Sequence, residues 1–225
     1  MFLPLKDDNP SSTFPAVTLG LILANLWVFY HQVFLDPVEA ERFIYQWGAI
    51  PYQIFRGEVL REYPVIPLPL TIFSSMFLHG GFLHLFGNML YLWIFGNNVE
   101  DKLGHFRFVL FYLLCGLLAS LVQLLSDPRS AVPLIGASGA VAGVLGAYLV
   151  CFPGARILTL FFIFIFIKLI HLPALFVLGS WFLLQLLGIW GGAISSVAFY
   201  AHVAGFVSGT ILVKAFQPAR ARRRR

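Results

Sequence analysis

Apolar, uncharged stretches about as long as a bilayer crossing, roughly 20 residues, alternate along this chain with short clusters of Lys, Arg, Asp and Glu. The pattern predicts six crossings, at about 14–35, 77–97, 106–125, 134–152, 172–190 and 196–216. Each is expected to be helical, because backbone groups in hydrocarbon must be satisfied internally. A further apolar run, "RILTLFFIFIFIKLI" at 156–170, is rich in Phe and Ile and bounded by Arg156 and Lys168. It reads as interfacial or packed under the bundle, with a seventh crossing as the competing count. The expected class is an all-α polytopic membrane protein, a six-transmembrane-helix bundle forming one membrane domain over residues 1–225.

Composition agrees with that pattern. Of 225 residues, 59% are hydrophobic and 11% charged, with a mean hydropathy of +0.84, which excludes an ordinary soluble domain. With the N-terminus inside, the inner segments would hold Lys6, Lys102, Arg107, Arg156, Lys168, Lys214, Arg220 and Arg222 to Arg225, against Arg42, Arg56, Arg61 and Arg129 outside. Excess basic charge marks the cytoplasmic side, so both termini are expected there. The closing "RARRRR" and the rest of the 217–225 tail read as a basic topology anchor with affinity for acidic lipid headgroups, and nucleic acid is not an expected partner. The opening "MFLPLKDDNPSSTFPAV" does not have the pattern of a cleaved signal peptide. Cys115 and Cys151 both fall within expected spans, so no structural disulfide is anticipated. The loop over about 36–76 mixes charges with Trp47, Tyr52, Phe55 and Tyr63 and suits a structure lying against the outer membrane surface.

Polar side chains inside the membrane are costly and therefore functional candidates. The second span, opening "FLHGGFLHLFGNMLYLWIFG", carries His79, His84 and Asn88; the fourth, within "LIGASGAVAGVLGAYLV", carries Ser138; the sixth, "AFYAHVAGFVSGTILV", carries His202 and Ser208. All three spans run in the same direction, and at 1.5 Å per residue His84, Ser138 and His202 fall at a common depth, roughly a third of the way from the outer face. Small residues repeat every four positions at Gly139 and Gly143 and at Ala201, Gly205 and Gly209. Such stripes let helix backbones approach closely, which would bring the His202 imidazole within reach of the Ser138 hydroxyl.

A histidine beside a serine turns a weak nucleophile into a reactive one. None of the ten acids lies inside spans 3 to 6, so the expected arrangement is a Ser138/His202 dyad without a carboxylate. His84 and Asn88, at i and i+4, share a helical face and can donate to an oxyanion, as can the Ser138 backbone N–H. "GASGA" is not the G-x-S-x-G elbow of an α/β-hydrolase, since position 140 is Ala. His31, His105 and His171 sit near span ends and read as interfacial. Glu100 reads as a solvated cap or as a partner for a nearby backbone donor.

Together "HGGFLHLFGNM", "GASGA" and "AHVAGFVSG" resemble the rhomboid family of intramembrane serine proteases over about residues 75–210. The resemblance implies Ser138 as nucleophile, His202 as general base and acid, His84 and Asn88 as oxyanion donors, and for His79 a role that is structural or hydrogen-bonding near the cavity mouth. It also implies a six-helix core with a membrane-associated first outer loop, single-span membrane proteins as substrates cut close to the outer face, and no cofactor or metal. Two departures stand out. "PLTIFSSMF" lacks the Trp-Arg pair some members carry, and Ala142 stands where some place an aromatic ring against the catalytic imidazole. Tyr200 and Tyr148 are the candidates to support His202 instead. The loop "GIWGGAISSV", 188–197, is glycine-rich and permissive of gating motion with span 5. A catalytically silent relative that binds membrane helices is the alternative function. A transporter is disfavoured by the absence of internal repeats. A compact core of this kind suits a bacterial inner (plasma) membrane, and oligomeric state is left open.

Overall fold

Each of the six expected spans falls on a helix in the computed structural model, which describes residues 2–58, 66–163, 166–191 and 197–218. Helix α1 spans Ala16–Val33, α2 Pro37–Trp47, α3 Pro51–Arg56, α4 Thr71–Ser74, α5 Phe82–Leu103, α6 His105–Ser126, α7 Ser138–Cys151, α8 Ala174–Trp190 and α9 Phe199–Phe216. Among the described residues α1, α6 and α9 are long and apolar enough to cross a membrane, with a fourth span if α5 is joined to the bent segment Leu68–Phe77 before it. The apolar helices α7 and α8 are shorter. The 83° bend before α5 explains why the second span starts later than its hydropathy suggests.

The all-α expectation is corrected by a three-stranded antiparallel sheet in the order β1-β2-β3, with β1 at Phe2–Asp7, β2 at Arg156–Ile163 and β3 at Phe166–Pro173. Strands β2 and β3 pair from Arg156–Pro173 to Ile163–Phe166, so the 156–170 run is a hairpin rather than a seventh crossing. Its β-branched and aromatic residues favour a pleated, half-buried surface: Ile157 and Thr159 are fully buried while Leu158 and Leu160 alternate with them at intermediate exposure. Pro4 and Pro173 lie in the two edge strands, where a missing N–H is tolerated, and the β1 register shifts between Pro4 and Lys6.

The core is arranged around α7. Every α7 residue except Ser138, Leu149 and Val150 is buried, against α5, α6 and α9. Small residues make this possible. A Cβ on Gly205 would collide with the Gly139 carbonyl, and one on Gly209 with the Gly143 carbonyl. The expected stripes therefore meet face to face, and α7 and α9 touch backbone to backbone. Cys115 packs on Gly143; both it and Cys151 are unbridged.

Buried polar groups tie the sheet end of the bundle. The N-terminus of α1 has no side-chain cap of its own, and its orphan donors are taken by Glu100, which accepts the N–H of Val17 at 2.9 Å and of Thr18 at 2.7 Å, and the Thr18 hydroxyl at 2.7 Å. A carboxylate also complements the positive end of a helix dipole. Glu100 is fully buried and pairs with the His105 imidazole at 2.5 Å, so the backbone-partner reading holds and the solvated-cap reading does not. Asp101 binds Ser12 and Thr13. Asp7 of β1 accepts from Tyr148 Oη at 2.8 Å and Asn98 Nδ2 at 2.9 Å, fixing the strand across the ends of α5 and α7.

Candidate functional site

At the other end of the bundle, Ser138 is the first residue of α7. The first N–H groups of any helix lack an intrahelical acceptor, and they point, with the positive end of the helix dipole, toward whatever lies before the helix. The approach 134–137 is held by pairing of Ala49 with Leu134 and by the Gly136 N–H donated to Ser75 O at 2.8 Å. Tyr52 N–H also bonds Ser130 O at 3.0 Å. The loop before α5 thus braces the turn that presents Ser138.

Gly136 has φ 119°, a left-handed-side conformation open chiefly to glycine. A Cβ there would sit 2.8 Å from both Cε1 and Nε2 of His84 and 3.8 Å from Ser138 Oγ. His84 Nε2 and the Ser138 hydroxyl therefore flank the same glycine. His84 Nδ1 accepts the Gly80 N–H at 3.3 Å. Because an amide N–H can only donate, the neutral ring carries its proton on Nε2, the nitrogen beside Gly136. Asn88 is buried one turn below and donates to His84 O at 3.0 Å, leaving its second amide hydrogen uncommitted by that bond.

His202 enters from the first turn of α9. Its Nδ1 lies 2.8 Å from Gln185 Oε1 on α8, and its ring lies against Trp181, with centroids 5.6 Å apart at 37°. These two residues supply the support that Ala142 does not. Tyr148 is instead at the sheet end bonded to Asp7, and Tyr200 is exposed, so both expected candidates are corrected. Ser138, His202, His84 and Asn88 line one cavity of about 670 Å³, with Ala142 and Trp181 also in its wall. No hydrogen bond joins Ser138 to His202 among the described residues. The hydroxyl lies on the Gly136 side and the imidazole is engaged with α8, an open arrangement common in unliganded catalytic sites.

His79 is buried, and neither ring nitrogen has a hydrogen-bond partner among the described residues. Its ring packs at 5.0 Å on His84 and at 6.5 Å on Phe29. Its backbone is clamped by Gln32, which accepts the His79 N–H at 3.1 Å and donates to His79 O at 3.2 Å. Gln123 of α6 caps α9 by accepting the Ala201 N–H at 3.2 Å. Three glutamines, Gln32, Gln123 and Gln185, thus hold the histidine-bearing segments, and none was singled out above. Among the described residues no cluster of three His, Cys, Asp or Glu side chains is arranged for a metal. The 192–196 part of the glycine-rich loop and most of the basic tail, 219–225, lie outside the described residues.

A bundle of apolar helices thus brings a serine at a helix N-terminus and two histidines into the wall of one cavity. The Rhomboid domain family matches residues 69–218, and the chain belongs to that family. It is similar to the "Putative rhomboid protease YdcA" of Bacillus subtilis (strain 168), 32% identical over 143 residues, 60% of this chain and 62% of that one. It is similar also to the "Rhomboid protease AarA" of Providencia stuartii, 30% identical over 147 residues, 59% of this chain and 49% of the relative. A shorter match, 44% over 78 residues and 35% of this chain, is to "RHOMBOID-like protein 5" of Arabidopsis thaliana, of which it covers 25%. The chain spans only 25% to 62% of these relatives' lengths.

Proposed function

We propose that the protein is an intramembrane serine endopeptidase that cleaves single-span membrane proteins in or near their transmembrane segment, close to the outer face. The observation that carries this reading is the convergence of Ser138, His202, His84 and Asn88 on one cavity. Two relatives whose names include "rhomboid protease" add support.

Attack of Ser138 Oγ on the scissile carbonyl forms a C–O bond while the proton passes to His202 Nε2. The carbonyl oxygen becomes an oxyanion held by His84 Nε2–H, the Asn88 amide and the N–H groups that open α7. Collapse breaks the C–N bond, with the His202 proton going to the departing amine. Water, deprotonated by the same imidazole, then attacks the acyl-serine and restores Ser138. A transmembrane substrate must unwind locally to offer its carbonyl, which favours Gly, Ala, Ser or Pro near the cut.

The membrane arrangement belongs to the same reading. The six apolar helices α1, α5, α6, α7, α8 and α9 cross the bilayer, the segment holding α2 and α3 lies against its outer surface, and both termini face the cytoplasm of a bacterial inner membrane. The amphipathic character of α2, with Phe43 against His31 at 5.1 Å and Val38 exposed, supports the surface placement. The alternative is a silent relative that binds membrane helices without cutting them. The purified protein in detergent is incubated with a single-span substrate beside Ser138→Ala and His202→Ala. Cleavage by the wild type alone is expected. Cleavage surviving either substitution removes the dyad, and helix binding without cleavage favours the silent relative.

A further inference from the structure

Resting on the protease reading, we infer that Gln185 is a positioning residue that fixes the tautomer and orientation of His202 from α8. The side chain is buried and its two amide atoms face different partners. Nε2 lies 3.1 Å from Trp181 O, and a backbone carbonyl can only accept. Nε2 is therefore the atom directed at Trp181, and Oε1 is the atom 2.8 Å from His202 Nδ1. Turning the amide over would set two acceptor oxygens against each other at the Trp181 carbonyl.

An amide oxygen can only accept, so His202 Nδ1 carries the ring proton and donates it to Gln185. In the neutral imidazole this leaves the Nε2 lone pair free, which is the form a general base needs to take the Ser138 proton. The second nitrogen of a catalytic histidine commonly meets a carboxylate that sets its tautomer. Among the described residues no acidic side chain lines this cavity, and Gln185 does the orienting part of that task without a charge. Trp181, one turn before Gln185, covers the ring from the same helix, so α8 holds the base in both angle and tautomer. The small Ala142 on α7 can take no part in this.

The test uses the full chain in detergent with a single-span membrane substrate. Gln185→Leu removes the acceptor and puts an apolar, helix-favouring side chain among its leucine neighbours, and Gln185→Glu keeps an acceptor at the same reach. Gln185→Leu is expected to lower kcat about 10- to 100-fold, part of what an acid–base group contributes, with KM within about twofold. Gln185→Glu is expected to retain most of the lost turnover. Nitrogen-15 NMR of labelled histidine, with His202 assigned by its loss in His202→Ala, is expected to show Nδ1–H in the wild type and a changed tautomer in Gln185→Leu. Wild-type kcat in Gln185→Leu, or an unchanged His202 tautomer in that variant, overturns the proposal. A wild type that shows the Nδ1–H tautomer yet cleaves nothing instead defeats the protease reading and leaves the positioning contact standing.

Discussion

The two ends of α7 lie in one apolar bundle and use buried polar groups to opposite effect. At the sheet end, Asp7, Tyr148, Asn98, Glu100 and Thr18 bond one another and the backbone, and the network is consumed in holding β1 and α1 in place. At the site end, the glutamines are engaged with His79, α9 and His202, while other groups keep capacity: His84 Nε2, the second Asn88 hydrogen and the Ser138 hydroxyl belong to side chains that line one cavity. A buried polar group costs free energy unless it is satisfied, so unspent donors around a roomy space mark the place where a substrate is to supply the partners.

This contrast predicts separable losses. The largest effect is expected from Glu100→Ala, which strands the α1 donors in the core, each buried donor left unsatisfied costing about 1–3 kcal/mol. Denaturant titration should show the destabilisation, with turnover per folded molecule unchanged. His84→Ala should do the reverse. Removing one oxyanion donor lowers kcat about 10²–10³-fold, while the titration midpoint stays close to that of the wild type. If His84→Ala unfolds the protein, or Glu100→Ala abolishes turnover in folded molecules, the division between the ends fails.

Tyr148→Phe should cost about 1 kcal/mol, the ordinary worth of a buried hydrogen bond, by releasing Asp7 while leaving Ser138 undisturbed three turns away. The smallest effect concerns Asp7 alone. Burial pushes its carboxyl above the ordinary carboxylate range, although the bond from Tyr148 opposes this. A raised folded-state pKa means that the folded protein holds this proton longer than the unfolded chain. Its contribution to stability is therefore full below the ordinary pKa and falls as pH rises through the elevated one. Thermal melts taken from the ordinary carboxylate range toward neutrality should decline slightly, and Asp7→Asn should flatten that decline. A steeper decline in Asp7→Asn would contradict the assignment.

Much of the site was legible because a polar residue in an apolar helix stands out. His84, Asn88, Ser138 and His202 declared themselves this way, and the spacing of Gly139, Gly143, Gly205 and Gly209 announced the backbone contact that sets α7 against α9. Gln185 was visible on the same grounds, one amide in "WFLLQLL". A glutamine neither titrates nor attacks, so an orienting role leaves no chemical signature in the sequence. The sheet was hidden for a different reason. Strand β1 pairs with a segment about 150 residues away, a long-range contact that local periodicity cannot report. The hairpin itself is an apolar run in which short strands and a buried helix look alike until length and β-branching are weighed.

The most direct test of the central claim is covalent. A serine-directed fluorophosphonate, added to the folded protein in detergent and followed by mass spectrometry, should form a single adduct on Ser138, with labelling lost in His202→Ala and retained in Glu100→Ala molecules that remain folded. An adduct on another residue, or labelling of Ser138 at full rate without His202, would contradict the account.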